Sequence, residues 1–293
     1  LYIAHNLGAL PAALHAARVN GARVGFDAED FHSGQLQPDS PFGRFTAAAE
    51  RRLLPRCDYV TAASPGIAEA YRDTCGIALP VCIPNVFAKA DRPPAFRVPS
   101  GTEPVRLYWF SQTIGPERGL EIAVRAMALL RQYPTELHLR GTPQWGFDKH
   151  LLDLARREGL PDGVLRIHGP ESSDDMVRCA ARYDIGLALE PVVSRNNDIL
   201  WSNKVFTYLL AGCAVAATRT RGQARLLEEL GSAAVGCEPD DPVSLAEALR
   251  PWVTNRERLL ASRQHAWMLG DMRFNWDVLK GAFLSIVANT LAH

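Results

Sequence analysis

Residues 105–131 read VRLYWFSQTIGPERGLEIAVRAMALLR and contain the clearest fold signal of the chain. Val105 to Phe110 is a largely apolar run typical of a buried strand, and a polar loop at 111–119 follows it. Beyond the loop, one apolar face recurs at helical spacing and is formed by Leu120, Val124, Met127 and Leu130. Strand, loop and helix in this order are the repeating unit of a parallel sheet.

The same alternation of short apolar runs and longer amphipathic segments continues along nearly the whole chain. Before residue 88 we predict strands at 1–4, 23–27, 58–62 and 80–83, and helices at 8–18, 41–54 and 65–74. Later strands are predicted at 105–110, 135–140, 164–168, 183–189, 213–217 and 233–236, with two closing helices at 255–269 and 275–291. The pattern predicts an α/β protein with two doubly wound, Rossmann-like lobes.

The segment 88–104, AKADRPPAFRVPSGTEP, is rich in proline and charge and lacks periodicity, which is typical of an interdomain linker. We therefore predict a first lobe over 1–97, a second lobe over 98–270 and a closing helix over 271–293. Because residues 1–4 already have the pattern of a core strand, we expect the first lobe to lack its N-terminal part.

The composition is that of an ordinary globular protein of about two domains, with 293 residues, 47% of them apolar and 22% charged. The 32 basic residues balance the 32 acidic ones, which argues against a nucleic-acid partner. No apolar run approaches the roughly 20 residues that span a bilayer. The six cysteines form no CxxC pair and indicate reduced thiols, so we expect a cytoplasmic protein.

The familiar motifs of nucleotide and hydrolase chemistry, GxGxxG, GxxxxGK[ST], HExxH and GxSxG, are absent from the sequence. In open parallel sheets, ligands bind beyond the carboxyl ends of the strands, near helix N-termini. The candidate site residues are therefore those that follow each predicted strand. In the second lobe the loop 111–119 is the most suited to phosphate, because it carries Gly115, Gly119 and the cation Arg118. Its alternative interpretation is an ordinary strand-to-helix loop.

The stretch SNKVFTYLLAGCAVAAT, residues 202–218, resembles the corresponding segment of family 4 glycosyltransferases. Other pieces agree in order, among them CDYVTAASPGIAEAY, VCIPN, LYWFSQTIGPERGLEIAVRAMALL, LHLRG, DIGLALEP and the C-terminal FNWD. The resemblance implies the GT-B fold, with an acceptor-side first lobe, a donor-binding second lobe and C-terminal helices that pack back on the first. It also implies retaining transfer of a sugar from a nucleotide-diphosphate-sugar, with no metal and no other cofactor.

The resemblance implies a donor-binding set in the second lobe: Ser111, Gln112, Gly115, Arg118, Gly169, Glu190, Asn203, Lys204 and Thr207. Arg118 before Gly119 matches the basic residue of the family pattern, and His5 matches its catalytic histidine. The chain departs from the pattern at three positions. Gln112 replaces a second base, and Thr207 and Ile199 replace two glutamates, for which the nearby Asp198 and Glu190 are candidate substitutes.

On the acceptor side, FDAEDFHS at 26–33 places Asp27, Asp30 and His32 together after a strand. We expect these side chains to contact an acceptor hydroxyl, and we favour that over a metal site. The resemblance implies a saccharide or lipid-linked acceptor in polysaccharide biosynthesis. The arginine-rich segment 41–56 is interpreted as a helix packed on the sheet, or as a weak contact with the inner face of the membrane.

Two other functions stay open at this point. Thr207 and Ile199 favour a non-catalytic module that binds a sugar nucleotide or a protein partner. A nucleotide-sugar 2-epimerase shares the same architecture.

Overall fold

The computed structural model describes residues 1–292, and the last residue of the predicted closing helix, His293, lies outside the described residues. The chain divides into two compact units. The first comprises residues 1–85, 192–201 and 279–292, and the second comprises residues 86–191 and 202–278. Each unit is a parallel sheet with helices, so the predicted α/β class with two Rossmann-like lobes is confirmed.

The first unit has a four-stranded sheet in the order β1-β2-β3-β4. Its strands are β1 (Tyr2–Ala4), β2 (Val24–Ala28), β3 (Tyr59–Ala62) and β4 (Val81–Cys82), and its first helices are α1 (Leu10–Asn20), α2 (Pro41–Leu53) and α3 (Pro65–Cys75). The short helix α7 (Arg195–Ile199) and most of α12 (Trp276–Ala292) also belong here. Ser40 and Ser64 cap α2 and α3, each followed by a proline at the first helical position. The core contains Phe26, Phe31 and Tyr71.

The second unit has six strands in the order β10-β9-β8-β5-β6-β7, all parallel. They are β5 (Val105–Ile114), β6 (Thr135–Pro143), β7 (Leu165–His168), β8 (Ile185–Ala188), β9 (Ala214–Thr218) and β10 (Ala234–Cys237). Its helices are α4 (Leu120–Leu129), α5 (Phe147–Arg157), α6 (Met176–Ala180), α8 (Asn203–Ala211), α9 (Arg221–Leu230), α10 (Pro242–Thr254) and α11 (Arg256–Met272). The predicted Asp241-Pro242 helix start is confirmed, since the Asp241 carboxylate accepts from the N–H groups of Val243 and Ser244.

Strand β5 is longer than predicted, and this changes the local structure of the phosphate loop. It extends through Ile114, which is fully buried, with an irregular register between Phe110 and Thr113. Ser111 and Gln112 therefore belong to the strand, not to a loop. The loop is only residues 115–119, because Thr113 and Ile114 pair with the equally extended end of β6.

The proline-rich segment 88–104 lacks regular structure apart from one short 3₁₀ turn, but it is not a free linker. Its Arg92 lies 3.4 Å over the Trp267 ring, and its Arg97 pairs with the fully buried Asp184. These contacts tie residues 86–97 to the second unit. The division between the units therefore falls after Asn85, not at the expected boundary after residue 97, and residues 271–278 also belong to the second unit. Among the described residues, no helix is long and apolar enough to cross a membrane.

Candidate active site

The turn from β5 into α4 is built around Gly119, which has a positive φ of 70° and occupies the N-cap position of the helix. A Cβ atom at this position would lie 2.6 Å from Cβ of Leu189, so glycine is required for two reasons. The Gly119 backbone and the residue after β8 are thereby held in close contact. No side chain caps the start of α4.

Arg118 is anchored on the same turn. Its guanidinium donates to the Ser111 hydroxyl at 3.1 Å and to the Thr113 hydroxyl at 2.9 Å. Both acceptors are neutral, so the positive charge of Arg118 is positioned without being neutralised by these two bonds. The structure thus brings together Arg118 and Ser111 of the predicted donor set.

A second polar cluster lies at the ends of β8 and β9. One carboxylate oxygen of Glu190, Oε1, accepts from the Ser202 hydroxyl at 2.7 Å and from the Lys204 ammonium at 2.8 Å. The Glu190 backbone exchanges two hydrogen bonds with the Thr218 hydroxyl, at 3.0 and 2.8 Å. Ser202 is the N-cap residue of α8, yet its hydroxyl does not cap the helix, because it is directed to Glu190.

The protonation of Glu190 follows from these neighbours. Burial alone would raise the pKa of the carboxyl, but the charge and hydrogen bond of Lys204, the bond from Ser202 and the charge of Arg118 outweigh it. The pKa of Glu190 is therefore below its usual range. Because Gly119 of the β5–α4 turn packs against Leu189, the residue before Glu190, this cluster and the turn form one polar region of the second unit.

The remaining predicted donor residues differ in accessibility. Gln112 and Asn203 are exposed. Gly169 is also exposed, and its carbonyl accepts from Arg140 at 2.8 Å. Gly115 is buried beside the Gln144 side chain. Thr207 is 1% exposed, so its hydroxyl is not presented at the surface.

In the first unit, parallel register explains how His5 meets Asp27. Ala4 of β1 lies opposite Phe26 of β2, so the next residues along, His5 and Asp27, are neighbours at the carboxyl end of the sheet. Nδ1 of His5 lies 3.1 Å from Oδ2 of Asp27. The other oxygen of Asp27 accepts from the Thr61 hydroxyl at 2.7 Å, from the facing position on β3.

This arrangement defines the chemistry of His5. Because a carboxylate can only accept, Nδ1 of the neutral ring donates to Asp27 and Nε2 carries the lone pair. The His5 side chain is 65% exposed, so Nε2 is accessible to a hydroxyl proton. Glu29 completes the cluster: one ligand atom from each of the three residues lies within 4.8 Å of the others, a spacing that a cation could use. Partial loss of hydration and the charge of Asp27 raise the pKa of Glu29.

Asp30 and His32 lie in a different network. Oδ1 of Asp30 accepts from the Asn196 amide at 2.8 Å, and its carbonyl accepts from the Tyr71 hydroxyl at 3.0 Å. Nδ1 of His32 lies 3.1 Å from the same Tyr71 hydroxyl. These two residues hold the turn after β2 in place, and their described contacts do not include His5.

Ile199, which stands where the family pattern has a glutamate, has a structural role in the first unit. It is 8% exposed and packs in the core of that unit. Its carbonyl accepts from the Ser64 hydroxyl at 2.9 Å, next to the first turn of α3.

The sequence did not single out Thr61 or Asn196. Thr218 is a candidate from the sequence, because it follows the predicted strand 213–217. Asn196 contacts Asp30 across 166 positions of sequence, and no local pattern signals such a pair.

No protein-family model matches the sequence, and no curated protein matches it either. Solved structures do resemble this one. HepE of Anabaena, crystallised with UDP-glucose, aligns with a TM-score of 0.75 at 18% identity, over 98% of this chain and 78% of that chain. A glycosyltransferase from Rickettsia africae aligns with a TM-score of 0.77 at 14% identity, over 99% and 77%.

Sucrose-phosphate synthase from Thermosynechococcus elongatus aligns with a TM-score of 0.74 at 15% identity, over 98% of this chain and 79% of that chain. At these identities the likeness establishes the fold. The two parallel-sheet units have the GT-B fold expected from the sequence.

Proposed function

We propose that this protein is a glycosyltransferase of the family 4 type, which moves a sugar from a nucleotide-diphosphate-sugar to an acceptor hydroxyl with retention. The observation that carries the proposal is the polar region of the second unit, where Arg118 is fixed by Ser111 and Thr113 beside the Glu190–Lys204 pair. The comparison with HepE supports it, because that protein was crystallised with UDP-glucose.

The donor diphosphate is assigned to the start of α4. Negative charge grows on the leaving diphosphate as the sugar is transferred, and fixed cations and helix N-termini stabilise such charge. Arg118 supplies the cation. Lys204 supplies a second cation, which is paired with Glu190 in the absence of a bound anion.

Glu190 is assigned to the nucleotide ribose, in place of the glutamate that Thr207 replaces. Its Oε1 atom is held by Ser202 and Lys204, which fixes the direction of the carboxylate. A carboxylate held below its usual pKa is charged at neutral pH and accepts hydrogen bonds from hydroxyl groups.

His5 is assigned to the transferred sugar or the attacking hydroxyl. Asp27, itself held by Thr61, fixes the tautomer in which Nε2 accepts a proton. No metal ion or other cofactor is part of the proposal. We place the protein in the cytoplasm, with the first unit's arginine-rich helix α2 as the candidate for contact with the inner membrane face.

Calorimetric titration of the chain with UDP and GDP, followed by incubation with nucleotide-sugars, tests the function. We expect micromolar to millimolar diphosphate binding, and hydrolysis or transfer that releases the diphosphate. The anomeric proton signals of the first product, followed by NMR, distinguish retention from inversion.

The rival non-catalytic module is favoured by the burial of Thr207. Diphosphate binding without turnover of any nucleotide-sugar would support that rival. A product with the sugar still on the nucleotide and changed at C2 would indicate an epimerase.

A further inference from the structure

The first unit contains a cavity of about 550 Å³ that the proposed chemistry at His5 does not use. It is lined by the short 3₁₀ helix His32–Gln35, by one face of α2 and by residues 193–195 before and at the start of α7. All of its lining residues belong to the first unit. Its volume falls within the ~300–1,000 Å³ of small-molecule sites.

The charge of the cavity is strongly positive. Three arginines line it, Arg44, Arg51 and Arg195, against a single acid, Glu50. Glu50 is 1% exposed, and its Oε1 atom accepts from the Ser33 N–H at 2.9 Å and from the Tyr71 hydroxyl at 3.1 Å. The Glu50 carboxylate is therefore hydrogen-bonded to Ser33 and Tyr71 of the protein itself.

Within the part of the chain that the structure describes, none of the three arginines forms an ion pair within 4 Å, although the charge of Arg195 helps to lower the pKa of the Asp73 carboxyl. Arg44 donates to the Asp39 carbonyl, and Arg195 lies 5.0 Å from the centroid of the Phe31 ring. Two arginines elsewhere in this unit do form ion pairs, Arg23 with Asp58 at 2.9 Å and Arg72 with Asp73 at 2.8 Å. Guanidinium groups held around a concave site without a carboxylate partner favour an oxyanion.

The rest of the lining is mixed, with apolar surface from Phe31, Leu36 and Pro38 and with uncharged polar side chains from Ser33, Gln35, Gln37, Thr74 and Ser194. Ring carbons of a sugar pack on the apolar part and its hydroxyl groups hydrogen-bond to the polar part, while the arginines bind its charged substituent. The exposed Phe42 and Phe45 of α2 are not among the lining residues. A lipid surface would use that other face of the helix.

We propose that this cavity binds the anionic group of an acidic saccharide acceptor, a sugar that carries a carboxylate or a phosphate. The assignment of the ligand as an acceptor rests on the proposed function. The binding of an anionic sugar does not.

Calorimetry on the full chain tests the proposal with two matched pairs of probes: methyl glucuronide against methyl glucoside, and glucose 6-phosphate against glucose. We expect at least one charged probe to bind more tightly than its neutral partner by about tenfold or more, because the neutral sugar cannot form charge-assisted hydrogen bonds with the arginines. Whichever charged probe binds identifies the oxyanion. Equal binding within both pairs would overturn the proposal.

Variants locate the binding. Arg51→Gln and Arg195→Gln should each weaken the charged probe about tenfold. Arg52→Gln changes the adjacent residue of α2, which does not line the cavity, and should leave the binding unchanged. Losses from Arg52→Gln equal to those from Arg51→Gln would refute the cavity as the site. So would binding only to phosphatidylglycerol vesicles, with no charged sugar bound, because α2 would then be a membrane contact.

The two proposals fail separately. If the chain binds the charged sugar through Arg51 and Arg195 but binds no nucleoside diphosphate, the cavity proposal is supported and the proposed glycosyltransferase function is contradicted. If the chain binds diphosphate through Arg118 but shows no preference for the charged probes, only the cavity proposal is contradicted.

Discussion

The ammonium of Lys204 lies 2.8 Å from Oε1 of Glu190, so two residues assigned independently to the donor form an ion pair with each other. Both side chains are 17% exposed. The pair offsets much of the charge of Lys204 before any ligand binds. Arg118, whose described bonds go to two neutral hydroxyls, therefore carries most of the fixed positive charge at the start of α4.

Arg118→Ala should weaken nucleoside-diphosphate binding by about 2–3 kcal/mol and leave the fold intact, because a charge-assisted bond to phosphate is lost. Arg118→Lys should recover part of the loss, since the charge remains and the fork geometry does not. The control is Arg125→Ala on the body of α4, where the side chain pairs with Glu158 at 3.5 Å. Calorimetric titration that shows equal losses for Arg118→Ala and Arg125→Ala would place the diphosphate elsewhere.

Lys204→Gln should lower the stability at pH 7 by about 1–3 kcal/mol, because it leaves the Glu190 carboxylate without its cation. The folded-state pKa of Glu190 lies below its ordinary 4.5, so the pair's contribution is fully present above that value and is lost as pH falls through the folded pKa.

The wild type and Lys204→Gln should therefore differ in urea unfolding at pH 7 and converge as the pH falls well below 4.5. A difference that is unchanged at low pH would show that Lys204 stabilises the protein by another route.

Gly119→Ala should destabilise the second unit more than Gly146→Ala does. Both glycines have positive φ, 70° and 74°, so both variants lose about 1–2 kcal/mol to backbone strain. Only at Gly119 would the new methyl meet another group, at 2.6 Å from Cβ of Leu189, whereas nothing lies within 4 Å at Gly146. Thermal unfolding of the two variants measures the difference, and equal Tm values would contradict the close contact.

The His138–His168 pair should make the protein sensitive to mild acid. Nδ1 of His138 lies 2.9 Å from Nε2 of His168, the rings are stacked, and burial lowers the pKa of both below the ordinary 6.5. Since the unfolded chain binds these protons more tightly, the contribution is fully present above pH 6.5 and falls as the pH drops below it.

Urea unfolding at pH 7.5 and pH 5.5 measures this loss of stability. His138→Gln should reduce the difference between the two pH values, and His15→Gln, which replaces an exposed histidine, should leave it unchanged. If both variants behave as the wild type does, the pair does not cause the acid sensitivity.

The alternation of strands and helices could be predicted from the residues alone, because buried strands and amphipathic helices have short hydrophobic periods that are visible locally. The sequence also placed His5, Asp27, Arg118 and Glu190 at strand ends, where parallel sheets collect polar groups. What it could not determine was which distant groups meet.

The pairing of Glu190 with Lys204, the bond from Asn196 to Asp30 and the docking of Arg97 on Asp184 each join separate segments. The burial of Thr207 within α8 likewise results from the tertiary packing of that helix. These contacts depend on strand order, as in β10-β9-β8-β5-β6-β7, and on how α7 and the segment 86–97 pack on their units. Strand order is decided by the combined packing of the whole sheet, and no local periodicity records it.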